Sequence, residues 1–78
     1  MEIKIRRNIM TTGWTIDVPS RALAMLVAEK IQDSDSLLFV KEVTMRYGNY
    51  SSITVAGDSR YENELESIVK NNSILWNH

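Results

Sequence analysis

Cysteine is absent from the 78 residues, which removes disulfides and thiolate metal sites. The one histidine is His78, the final position, so neither an imidazole zinc cluster nor a Ser-His-Asp arrangement has an internal histidine to use. Glycine occurs three times and proline once, too sparsely for a phosphate-cradling glycine loop or a low-complexity linker. The longest apolar run, Ala22 to Ala28, has seven residues, against roughly 20 for a membrane-spanning helix. No sign of charge prevails: nine basic and ten acidic residues leave a net −1. A dedicated duplex binder carries a marked positive excess, because phosphate neutralisation supplies most of its affinity. Met1 to Arg7 alternates charged and apolar residues and has no apolar core of the kind a signal peptide needs.

These absences leave a single-domain protein, expected to act in the cytoplasm, without cofactor, metal or membrane contact and without catalytic machinery. A chain this short sits near the limit at which an apolar core alone gives useful stability. With disulfides and metals excluded, oligomerisation or unusually good packing must supply the rest.

What is present falls into six segments. Ile3 and Ile5 alternate with charged residues, and Trp14, Ile16 and Val18 alternate with Thr15 and Asp17. Both read as half-buried strands joined through a Thr11-Thr12-Gly13 turn. Pro19 and Ser20 mark a helix entry, Ser20 as cap, and the helix runs to about Gln32. Leu37 to Tyr47 is a long strand candidate. Its odd positions Leu37, Phe39, Val43, Met45 and Tyr47 form the expected core face, with Lys41 as the exception. Ser51 to Ala56 follows, with Ile53 and Val55 on one face. For Val43 and Met45 to share that face the connecting turn must have odd length, since a one-residue slip exchanges faces. A three-residue Gly48-Asn49-Tyr50 loop pairs Met45 with Ile53, Val43 with Val55 and Thr44 with Thr54. A second helix opens at Gly57-Asp58-Ser59, with Ser59 and Glu62 spaced as a capping box. Tyr61, Leu65, Ile68, Val69 and Asn72 form its apolar stripe. It either stops at Asn71-Asn72-Ser73 or continues through Leu75 and Trp76.

The order ββαββα predicts an α+β, two-layer fold: a four-stranded antiparallel sheet with two helices on one face. Ala22 to Ala28 is apolar around the whole helix at about 100° per residue, and so is expected to be covered on more than one side. Cover could come from the sheet, the second helix or another chain. Two partner-binding sets follow: Ala24, Met25 and Ala28 as a dimer seam, and Leu38 and Val40 as an apolar patch on the open sheet face.

The leading expectation is a small non-enzymatic protein-binding module and homodimer, a modulator or inhibitor of a larger enzyme or complex that acts by steric docking. Its size fits the accessory proteins that bacteria and their viruses carry. The alternative is a nucleic-acid-binding regulator using Lys4, Arg6, Arg7, Lys41, Arg46 and Tyr50, with basic groups and an aromatic platform interleaved. Asp33, Asp35, Glu62, Glu64 and Glu66 lack the spacing and glycine of a calcium loop and read as solvated acids.

Overall fold

Alternation makes Trp14–Val18 and Ser51–Ala56 one-sided strands, and their apolar faces form the floor on which the helices sit. The computed structural model describes residues 3–9, 12–34, 37–45 and 50–76, with side chains described through residue 72. The elements are β1 (Lys4–Arg7), β2 (Trp14–Val18), α1 (Arg21–Gln32), β3 (Phe39–Met45), β4 (Ser51–Ala56), a 3-10 turn (Ser59–Tyr61) and α2 (Glu62–Trp76). The antiparallel sheet has the order β1-β2-β4-β3. β4 is therefore inserted between the two strands that α1 connects, and β1 and β3 are left as edges. The expected α+β architecture and ββαββα order are those observed. No helix among the described residues is long and apolar enough to cross a membrane.

α1 starts where its cap dictates. Ser20 is extended, and its hydroxyl accepts the Leu23 N–H at 3.3 Å, satisfying a donor that has no partner within the helix. At the other end the Asp33 N–H reaches the Glu29 carbonyl at 2.9 Å, with Lys30 placed favourably in the last turn. The buried residues are Leu23, Ala24, Val27, Ala28 and Ile31, an arc of about 140°. Cover on more than one side, as expected, comes from the sheet and α2, but it does not extend around the whole circumference. Ala22 and Met25 face outward, and the sheet and α2 cover the rest. Alanine accounts for the overcount, because its methyl group adds little apolar area that must be hidden.

α2 is the amphipathic helix expected. Leu65, Val69 and Asn72 are buried, Tyr61 and Ile68 partly so. The Asn72 amide donates to the Ile68 carbonyl at 2.7 Å, so the asparagine is accommodated inside the helix, which continues to Trp76. The side chains of Ile74, Leu75 and Trp76 lie outside the described residues. Capping differs from the Ser59–Glu62 box: the Asp58 side chain accepts the Arg60 N–H at 3.1 Å and starts a 3-10 turn that leads into α2.

Trp14 is buried at the junction of these layers, and its indole N–H points to Glu62 at 3.4 Å. Gly57 lies against it: a methyl group there would come within 2.8 Å of the Leu38 side chain and 3.1 Å of the Trp14 ring. Gly13, with φ +139°, is held tighter still, since a methyl group would stand 2.2 Å from the Val55 carbonyl oxygen. Glycine is required there on both backbone and contact grounds.

The β3–β4 register carries the main departure from expectation. Val43 opposes Ile53, Thr44 opposes Ser52 and Met45 opposes Ser51. The parity is as expected, but the register is displaced by two residues. A bulge then falls between Val40 and Glu42, so that Val40 opposes Val55 and Phe39 opposes Ala56. The extra residue, Lys41, exchanges the faces of everything before it. The helix face of β3 carries Val40, Val43 and Met45, and the open face carries Phe39, Glu42 and Thr44. The expected turn residues Gly48 and Asn49, with Arg46 and Tyr47, lie outside the described residues.

Candidate interaction surface

The two sheet edges hold most of the residues singled out from the sequence, and the bulge decides which of them reach solvent. Leu38 is 5% exposed and belongs to the core, where its side chain approaches Gly57. Val40 is half-buried against the same core. The expected open-face patch of Leu38 and Val40 is therefore corrected: the face change at Lys41 turns both inward. In their place the open side of β3 presents Phe39, 56% exposed, and Leu37, two residues earlier in the chain, is 76% exposed. Sequence reasoning missed these two residues. The signal was Lys41, a charge at core parity, which is what a bulge at that position produces.

The helix seam is corrected in the same way. Ala24 and Ala28 are buried within their own chain, packed in the core with Val27 and Ile31, and are not free to meet another helix. Met25 alone of that set is exposed, at 55%. Its position on α1 can be fixed. The Gln32 side-chain carbonyl accepts the Val40 N–H at 3.1 Å, so the margin of α1 bearing Gln32 is turned toward β3. Ala28 and Met25 lie four and seven residues back on that same margin. Met25 thus shares the margin of α1 that meets β3 at Gln32, and Met45 is 52% exposed on the helix face of β3. Leu37, Phe39, Met45 and Met25 give the β3 side of the molecule an apolar rim. Lys41 and Glu42 stand exposed at its middle. Neither makes an ion pair among the described residues.

The basic set does not converge. Lys4, Arg6 and Arg7 lie on β1, whereas Lys41 lies on β3. Those strands are three positions apart in the sheet, or ~14 Å. The Arg6 guanidinium is engaged: it contacts Asp17 at 2.9 Å, and Asp17 also accepts the Ser52 hydroxyl at 2.9 Å. Beside them the Thr15 hydroxyl donates to the Asn8 side chain at 2.9 Å. Arg7 opposes Trp14 in register while Arg6 opposes Thr15, so these two arginines face opposite sides of the sheet. Tyr50 is exposed just before β4, and Arg46 lies outside the described residues.

No group of three or more potential metal-ligating side chains occurs among the described residues. The Gly57–Arg60 turn points its Asp58 carboxylate at the Arg60 N–H, occupying the donor that an anion would use. No protein-family model, curated protein or solved structure matches the chain.

Proposed function

We propose that this chain is a non-enzymatic protein-binding module whose contact surface is the β3 side of the sheet. The observation that carries the reading is that Leu37 and Phe39, two residues apart, are large and mostly exposed at a strand that has no neighbour on its outer side among the described residues. Two adjacent exposed apolar side chains next to an open edge form a patch of the kind that marks contact sites. Lys41 and Glu42 supply the polar border such a site needs. The mechanism is steric: a module of this size modulates or inhibits a larger enzyme or complex by covering part of its surface. Met25, retained from the sequence-based set, borders the same side.

Capture from the cell that makes the protein tests this reading. The comparison is between immobilised wild type, a Leu37→Lys/Phe39→Lys variant and an Arg7→Glu control at the opposite edge. Circular dichroism verifies that each is folded. Binders of the wild type are expected to be lost from the β3 variant and kept by the control. If all three retain the same proteins, the β3 side is not the contact surface.

A further inference from the structure

Resting on that reading of the β3 side, we propose that the open edge is occupied by a second copy of this chain. The two β3 strands pair antiparallel about a two-fold axis that passes between Lys41 and Glu42. The edge reads Leu38-Phe39-Val40-Lys41-Glu42-Val43-Thr44-Met45, an adjacent pair of opposite charges flanked on both sides by apolar residues. In a two-fold contact, whatever residue i meets on the partner, the partner's copy of i meets in return. An axis between positions 41 and 42 therefore sets Lys41 against the partner's Glu42 twice over. It also sets Val40 against the partner's Val43, Phe39 against the partner's Thr44 and Leu38 against the partner's Met45.

The bulge is what makes this register workable. In an unbroken strand, residues on one face share parity, so an axis between two residues would join helix-face side chains to open-face ones. Lys41 is the extra residue, and the parity changes across it. Leu38 and Val40 face the helices before it, as do Val43 and Met45 after it. Each of the flanking pairs thus joins side chains of the same face: the apolar pairs Val40 with Val43 and Leu38 with Met45 beneath the helices, and Phe39 with Thr44 on the open side. Opposite charges directly across a strand pair attract, and like charges there repel. The helices of both copies remain on one side of a continuous sheet.

Gln32 fits the same picture. Its side-chain carbonyl meets the Val40 N–H, which marks that N–H as directed away from β4. It stands where a neighbouring strand's carbonyl would stand. Gln32 is exposed and can yield the position. Phe39 stays on the open face of the paired sheet and Leu37 lies before the strand, both accessible to a different protein. The self-pairing and the docking reading can therefore fail separately.

The experiment is sedimentation velocity on wild type, Lys41→Glu, Glu42→Lys, an equimolar mixture of those two, and the double variant that exchanges the charges. Circular dichroism verifies folding, and both positions are exposed. Wild type is expected to dimerise in the micromolar to submillimolar range. Each single variant should dimerise roughly tenfold more weakly, because each places two like-charged pairs across the axis. The mixture should form a mixed dimer about as well as wild type, and the double variant should recover. A monomeric wild type refutes the pairing and leaves Phe39-dependent capture standing as a separate result. A dimer indifferent to the charges, or a mixture no better than its components, refutes the register.

Discussion

The β1 edge of the sheet is four residues long and carries Lys4, Arg6 and Arg7, whereas the β3 edge is seven long, with Val40, Val43 and Met45 on its helix face and Phe39, Glu42 and Thr44 on its open face. Both are edge strands of one sheet, and their treatment of the exposed backbone differs. A short edge crowded with positive charge repels a second copy of itself and offers little apolar area, a common protection against unwanted strand addition. Among the described residues the β3 edge has a bulge, one borrowed side-chain carbonyl and the Lys41–Glu42 pair as protection. An edge left so lightly guarded, beside exposed Leu37 and Phe39, is where association is to be sought. The general lesson is that a bulge can act in two ways. It interrupts pairing with an arbitrary strand, yet it supplies the parity change that one particular self-pairing needs.

The largest expected effect concerns the anchoring of the β3 edge. Leu38→Ala should cost about 2–5 kcal/mol in denaturant-measured stability, as for other buried leucines. A loss under ~1 kcal/mol would mean that Leu38 is a surface residue and that the face assignment around the bulge is wrong. Next comes the β1–β2 side. Gly13→Ala combines an unfavourable φ with a backbone contact at 2.2 Å, for roughly 3 kcal/mol. Thermal or chemical unfolding would register this as a large shift toward lower stability. An unchanged midpoint would show that the hairpin end is not held against β4.

Smaller effects sharpen the same contrast. Asp17 joins Arg6 of the β1 edge to Ser52 of β4, and Asp17→Ala should cost about 1 kcal/mol. Arg6→Ala should cost less, within ~0.5 kcal/mol, because an exposed ion pair contributes little. A double-mutant cycle would measure the coupling directly. Smallest of all is Ser51→Ala. The Ser51 hydroxyl is buried without a hydrogen-bond partner among the described residues, on the face of β4 between Val18 and Met45. Its removal should leave stability unchanged or raise it by up to ~1 kcal/mol. A clear loss would reveal a bonded hydroxyl.

Much of the scaffold could be read from local patterns. The Ser20 cap, the span of β2, the span of β4 and the stripe from Tyr61 to Asn72 each depend on short-range rules of capping and periodicity. The β3–β4 parity could be read too, because Ile53 and Val55 had to share a face with Val43. The bulge could not be read the same way. It depends on how two strands and α1 meet in space, and a single charged residue at core parity was its whole trace. That one residue moved Leu38 and Val40 from the proposed surface into the core and brought Phe39 out. The helix seam failed for a related reason. Counting apolar letters treats Ala22 like a leucine, while Ala24 and Ala28 are small enough for the sheet and α2 to cover.

Hydrogen–deuterium exchange, followed as protein concentration is raised, compares the two edges in a single experiment and bears most directly on the claim that β3 is the associating one. Peptides spanning residues 37–45 should exchange more slowly as concentration increases, while peptides spanning residues 3–9 keep the same rate. Concentration-independent exchange in both segments, or protection that appears at β1 instead, would contradict the account.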